Sequence, residues 1–248
     1  MVELLGLGAI AGMIPVFLGI LAALFLRHVL SRSWEGLLIG IASGVLTYLF
    51  FDLMHEAVEL TGARDGVSWV VFLGSLGVSL VGLVALESNQ VFGGRSRWLS
   101  LPYMIALGMG LHNLGEGLAI GASYANGEWA LSAMLVAGFA LHNGTEGFGI
   151  VAAAGKGAVT APDVLQLGLL AGAPTCLGAV LSGQGLSSYF TISCYALAAG
   201  SLLYVILSLI ALSYTATRRL QMAWGLFAGI SLMYVTAMIL ALVGGMRS

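Results

Sequence analysis

The chain has 248 residues and a net charge of −2, with 59% hydrophobic and only 8% charged residues. A soluble domain carries roughly 25% charged residues, so this composition excludes an ordinary soluble domain. Long apolar runs between short polar breaks favour membrane-spanning helices, and they lack the alternating pattern of a membrane β-barrel. The small net charge says little about partners. We expect a lipid bilayer around the chain and no nucleic acid bound to it.

The sequence predicts an all-α integral membrane protein with a single transmembrane domain over residues 1–248. The first apolar run follows Glu3 rather than a basic stretch and is long enough to span. We therefore expect a helix there and not a cleaved signal peptide. The eight spans are predicted at 4–26, 35–60, 68–86, 99–124, 129–154, 163–183, 188–212 and 222–245.

Lys and Arg fall mostly on one side of the predicted bundle. Seven lie in the breaks after spans 1, 3, 5 and 7, namely Arg27, Arg32, Arg95, Arg97, Lys156, Arg218 and Arg219. The other side has only Arg64 and Arg247. Cytoplasmic loops carry the basic excess in membrane proteins, so both termini are predicted to be outside. The compact loops favour a prokaryotic plasma (inner) membrane.

Two motifs recur in the first and last thirds of the chain. P-x-x-L-G occurs at 15–19 and 174–178, and A-[S/A]-G-x-L-x-Y occurs at 42–48 and 198–204. Spans 1–3 and 6–8 are therefore predicted to be copies, and five spans from copy to copy give them opposite orientations. Inverted repeats around a central site are typical of transporters. The alternative is a chance match in a chain rich in Gly and Leu.

Span 2 carries polar residues near its predicted outer end. Asp52, His55, Glu56 and Glu59 are spaced i, i+3, i+4 and i+7, which places them along one stripe of a helix. Asp52, His55 and Glu56 are thus a candidate entrance that gathers cations. A solvated helix end is the other interpretation.

Spans 4 and 5 carry two closely related segments, LHNLGEGLAI at 111–120 and LHNGTEGFGI at 141–150. Six of the ten positions are identical. His and Glu four residues apart share one helix face. His112 and His142 are each 15 residues from Gly127 in the short break between the spans. We therefore expect antiparallel neighbours whose histidines lie at the same depth, near the middle of the bilayer.

A carboxylate at that depth costs about 2.5 kcal/mol or more, so intramembrane acids are functional candidates. No Lys or Arg lies in the middle of any span. Glu116 and Glu146 are therefore either protonated or paired with a cation from outside. His beside Glu is a ligand set for divalent metal ions. A buried hydrogen-bond network and a proton relay are the alternatives.

These motifs resemble the ZIP (zinc- and iron-regulated transporter-like) family, in its prokaryotic form. The resemblance rests on HN-x-x-EG in spans 4 and 5, on A-A-G-x-L-x-Y in span 7 and on the eight-span layout. It implies a 3+2+3 arrangement with the transport site on spans 4 and 5. It also implies uptake of Zn²⁺, or Fe²⁺, Mn²⁺ or Co²⁺, toward the cytoplasm by an elevator-like motion. The metal ligands implied by the motif are His112, Asn113, Glu116, His142, Asn143 and Glu146.

Three departures from the family pattern bear on the site. Gly115 and Thr145 stand where many relatives have Pro before the motif glutamate. Asn143 and Ala173 stand where relatives with two metal sites have Asp and Glu. We therefore expect one well-formed site of two His and two Glu, and a weaker second site that shares the two Asn.

The sequence predicts a transporter rather than an enzyme, with the metal as substrate and no cofactor. A membrane-embedded metal-dependent hydrolase is the main alternative, but it needs an open coordination position and a separate general base. A proton-coupled carrier of another cation is the second. Glycine-rich exposed faces would permit a homodimer.

Overall fold

The computed structural model describes residues 1–29, 32–62, 66–91, 97–154, 159–182, 187–213 and 219–245. All regular elements in these ranges are helices, without a strand among them. The first span consists of α1 (Val2–Gly8), a π-helical turn (Ala9–Met13) and α2 (Ile14–Val29). The remaining helices are α3 (Arg32–Thr61), α4 (Gly66–Ser88), α5 (Arg97–Ala125), α6 (Trp129–Ala153), α7 (Ala161–Ser182), α8 (Ser188–Ser213) and α9 (Arg219–Gly245).

The helical segments coincide with the eight predicted spans to within three residues at each end. Short polar breaks end the helices where the apolar runs stop. Gly127, between α5 and α6, has a φ of +77°, a left-handed conformation that favours glycine. The all-α fold class is therefore confirmed.

Six of these segments are long and apolar enough to cross a membrane. They are Val2–Arg27, Gly36–Thr61, Gly66–Ser88, Ala161–Ser182, Ser188–Leu212 and Arg219–Ile239. The six helices indicate a multi-pass membrane protein. Helices α5 and α6 are not among them, because they carry the two polar HN-x-x-EG segments. The crossing of the membrane by these two helices stays a prediction.

The predicted orientation depends on nine basic residues, of which the structure describes only some. Arg64, Arg95, Lys156, Arg218 and Arg247 lie outside the described residues. Arg27 and Arg219 are exposed at the ends of α2 and α9. The side on which the termini lie therefore stays a prediction.

The helix contacts occur in matched pairs. Helix α5 packs along α7 as α6 packs along α2, and α3 packs along α9 as α4 packs along α8. Two further contacts join the pairs at the centre, α3 with α8 and α5 with α6. Exchanging α2 with α7, α3 with α8, α4 with α9 and α5 with α6 leaves this contact pattern unchanged.

The shared motifs explain the closest of these contacts. Gly19 of the first P-x-x-L-G lies against Gly147, and Gly178 of the second lies against Gly117. Each partner glycine directly follows a motif glutamate. Small residues let helix backbones approach closely in membrane proteins. The repeated glycines therefore fix where α2 and α7 touch the two central helices.

Candidate metal centre

The two HN-x-x-EG segments lie face to face in the interior. The rings of His112 and His142 have centroids 6.3 Å apart. The side chains of both histidines and of Glu116 and Glu146 are each at most 3% exposed. The structure thus brings together, from two neighbouring helices, all four side chains that the sequence predicted as the main site.

Four side-chain atoms converge at the centre of this cluster. His112 Nε2 lies 3.2 Å from Glu116 Oε1 and 3.8 Å from Glu146 Oε1. His142 Nε2 lies 2.5 Å from the same Glu116 oxygen, within hydrogen-bonding distance. His112, Glu116 and His142 offer ligand atoms that all lie within 4.8 Å of one another. An ion between them would meet imidazole nitrogen and carboxylate oxygen, a ligand set that suits Zn²⁺ and similar metals.

Two of the four convergent atoms are left without a hydrogen-bond partner. Among the described residues, neither His112 Nε2 nor Glu146 Oε1 has a hydrogen-bond partner. A buried polar atom without a partner costs about 1–3 kcal/mol. The ion pairs of the two carboxylates within the described ranges are with His112 and His142. A divalent cation would satisfy both atoms and balance both carboxylates.

The two asparagines of the motif occupy equivalent positions. Asn113 donates through Nδ2 to Glu146 Oε2 (2.9 Å) and to the Ala171 carbonyl (3.1 Å). Asn143 donates through Nδ2 to Glu116 Oε2 (2.7 Å) and to the Ala11 carbonyl (2.9 Å). Both amide oxygens are buried, with no hydrogen-bond partner in the described ranges. Each asparagine thus joins the carboxylate of the opposite helix to the backbone of a third helix.

The accepting carbonyls were not predicted from the sequence. Pro15 has no N–H to donate to the carbonyl of Ala11, which lies in the π-helical turn. Pro174 lies inside α7 and leaves the carbonyl of Leu170, the residue before Ala171, without its usual N–H donor. The two P-x-x-L-G motifs could have indicated free carbonyl groups in this region, because a proline inside a helix leaves a carbonyl group without its usual N–H donor.

A cavity of about 320 Å³ connects the cluster with one end of the bundle. His112 and Glu116 line its inner part, and Asn126 and Glu128 of the α5–α6 connection line its outer part. The lining also includes Tyr195 near the start of α8. This is the end of the bundle that the distribution of basic residues predicts to be outside. The site is therefore reached from that end.

The candidate entrance on α3 is divided between two cavities. Asp52 and Glu56 line the cavity that leads to the cluster. His55 does not line it; it faces a second cavity toward Tyr48 and forms an ion pair with the exposed Glu59 (3.3 Å). The structure thus brings two of the three predicted entrance residues to the path.

The opposite side of the cluster is closed by apolar packing. Ile105 and Met109 of α5, Ile150 of α6 and Leu209 of α8 are fully buried in one hydrophobic cluster. A methyl group added at Gly149 would lie 3.1 Å from the end of Met109 and 3.4 Å from Leu209. The three helices therefore meet tightly on this side, and the cavity among the described residues reaches the cluster from the opposite end.

The comparisons add no relative to this description. No protein-family model matches the chain, and no curated protein matches it significantly. On the structure alone, the candidate functional residues are the four buried His and Glu side chains, the two asparagines behind them and the acidic residues along the cavity.

Proposed function

We propose that the protein carries divalent metal cations, with Zn²⁺ as the first candidate, across the plasma membrane toward the cytoplasm. One observation carries the proposal, the buried cluster of His112, Glu116, His142 and Glu146 at the base of a one-sided cavity. Two carboxylates balance the two charges of the ion, so the loaded site is close to neutral. A neutral site can change its exposure in a low-dielectric surrounding at far lower energy than a charged one.

The matched helix contacts support the inverted repeat that the two recurring motifs predict. Inverted repeats create two related conformations in which the same central site opens to opposite sides. Helices α2, α5, α6 and α7 pack mainly with one another, as do α3, α4, α8 and α9. We infer a 3+2+3 arrangement of eight spans, in which the first group moves against the second and carries the ion.

The cavity on one side of the site and the apolar packing on the other side define the steps of the proposed transport cycle. A hydrated ion enters past Asp52 and Glu56 and loses water as the histidines and glutamates replace it. The closed apolar side then opens as the cavity closes. In this proposal the cavity opens to the outer side, as in an outward-facing state, and both termini lie on that side as well.

Metal entry into vesicles tests this function. The purified protein is reconstituted in liposomes that contain a metal-sensitive dye, and Zn²⁺, Fe²⁺, Mn²⁺ and Co²⁺ are added outside in turn. We expect protein-dependent entry of Zn²⁺ and of some of the others. Binding of these ions without entry of any of them would contradict the carrier and favour the membrane-embedded hydrolase.

The cavity mouth gives a smaller, separate prediction. Changing Asp52→Asn together with Glu56→Gln removes two negative charges from the exposed part of the path. We expect the metal concentration for half-maximal uptake to rise by roughly 3- to 10-fold, with less change at high salt, because screened surface charges act mainly on encounter. The maximal rate should change little, since the central ligands remain. Uptake is measured against metal concentration at two salt concentrations.

The matched control for that experiment is Glu59→Gln. Glu59 lies on the same helix end but pairs with His55 and does not line the cavity that leads to the cluster. If this control raised the half-maximal concentration as much as the double change, a general surface charge would explain the result and the entrance path would be wrong.

A further inference from the structure

The asparagines behind the cluster hold the glutamates in one specific way. Each Glu has one oxygen, Oε2, bonded to an asparagine amide and the other, Oε1, directed at the histidines. An oxygen that accepts one hydrogen bond keeps a second lone pair, but each Oε2 is turned toward its asparagine. Glu116 and Glu146 therefore each present Oε1 to the centre of the cluster.

The orientation of each amide is fixed by its second bond. The carbonyls of Ala171 and Ala11 can only accept hydrogen bonds, so the NH₂ group must face them, 3.1 and 2.9 Å away. The carboxylate oxygen on the other side of the same nitrogen is likewise an acceptor. Asn113 and Asn143 thus cannot turn an oxygen toward the glutamates without breaking two bonds each.

The ligand atoms of His112, His142 and Glu116 lie within 4.8 Å of one another, and Glu146 Oε1 lies 3.8 Å from His112 Nε2, so the two Nε2 and two Oε1 atoms are the four candidate ligands. Ligands of a tetrahedral Zn²⁺ site lie about 2.0–2.1 Å from the metal and hence about 3.3 Å from one another. The 3.2 and 3.8 Å distances from His112 Nε2 to the two carboxylate oxygens are close to this spacing. The 2.5 Å contact of His142 with Glu116 is a hydrogen bond that an entering ion would replace.

We infer that Asn113 and Asn143 are positioning residues that keep Glu116 and Glu146 monodentate, and so make the site selective for ions that accept four ligands. The inference rests on the proposed function, because it names the property by which the carrier chooses its substrate. Zn²⁺ and Co²⁺ accept tetrahedral sites, whereas Mn²⁺ favours six ligands that are mostly oxygen. This role differs from the ligand role that the family resemblance implies for the two asparagines.

The visible absorption spectrum of bound Co²⁺ reports the number of its ligands directly. Four-coordinate Co²⁺ absorbs visible light strongly and six-coordinate Co²⁺ absorbs weakly. The purified full-length protein in detergent should give the intense spectrum on addition of Co²⁺. The pair of changes Asn113→Ala and Asn143→Ala frees both Oε2 atoms and should weaken the absorption per bound ion. It should also lower Zn²⁺ affinity by about tenfold or more, the usual effect of losing outer-shell partners. Mn²⁺ affinity should fall less, so that the preference for Zn²⁺ over Mn²⁺ decreases.

Two further variants separate positioning from ligation and from stability. Asn143→Asp keeps an oxygen but cannot donate, so it should weaken Zn²⁺ binding, whereas a ligand role predicts equal or tighter binding. Ser43→Ala removes another fully buried polar group, one with no hydrogen-bond partner in the described ranges, and should leave the spectrum intact.

A weak, six-coordinate spectrum of the wild-type protein would overturn the inference, even if the variants fail to fold. Tighter Zn²⁺ binding by Asn143→Asp would overturn it as well. An intense wild-type spectrum in a protein that moves no metal would leave this inference standing and remove the carrier function.

Discussion

Changing Glu116→Gln and Glu146→Gln together is expected to lower the affinity of the purified protein for Zn²⁺ by more than about 100-fold. Loss of outer-shell partners alone costs about 10- to 100-fold in metal affinity, and this pair removes both anionic ligands. Glutamine preserves the shape of the side chain, so packing around the buried cluster should change little. Isothermal titration calorimetry in detergent measures the effect.

The matched control for this pair is Glu87→Gln. Glu87 lies near the end of α4 and accepts a hydrogen bond from the buried Tyr204 (3.0 Å), away from the cluster. Zn²⁺ affinity of the control should stay within about threefold of the wild type, since no ligand is removed. Unchanged Zn²⁺ affinity in the double Glu variant would place the metal elsewhere.

Changing Gly147→Ala is expected to destabilise the protein strongly. A Cβ atom at this position would lie 2.8 Å from Gly19 Cα and even closer to other backbone atoms of α2, which cannot move aside as a side chain could. Overpacking of this kind costs about 1–3 kcal/mol and sometimes more. The midpoint of thermal unfolding should therefore fall by roughly 3–12 °C. Fluorescence-detected size exclusion after heating measures it.

Gly74→Ala on α4 is the control for that change. No atom of the described residues lies within 4 Å of a Cβ built at Gly74. Alanine there should leave the unfolding midpoint unchanged or raise it slightly, because alanine favours a helix more than glycine does. Equal losses for the two variants would show that the loss does not come from the close contact between Gly147 and Gly19.

Much of the helical frame could be predicted from the sequence. Apolar runs and polar breaks place the helix ends, because backbone groups in lipid must be bonded within a helix. The equal distances of His112 and His142 from Gly127 predicted their pairing, since both helices rise equally from one tight turn. Apolar runs identify helices α5 and α6 less clearly, because the polar segments of these two helices are enclosed by other helices and not by lipid.

The details that decide the chemistry are three-dimensional and could not be predicted from the sequence. The helical spacing of Asp52, His55 and Glu56 put all three on one stripe, but His55 and Glu56 are about 100° apart around the helix. One edge of the stripe therefore faces the cavity and the other faces Tyr48.

The asparagines show the same limit at the level of atoms. Their position in the motif marked them as polar residues of the site. Which atom each turns toward the glutamates depends on the carbonyls of Ala11 and Ala171, which belong to helices distant in sequence.

The most direct test of the central claim is time-resolved Zn²⁺ entry into proteoliposomes, with the wild-type protein and the Glu116→Gln, Glu146→Gln variant reconstituted in equal amounts. We predict rapid entry with the wild type, and entry at the rate of protein-free liposomes with the variant. Equal entry with both proteins would contradict a carrier whose site is the buried His/Glu cluster.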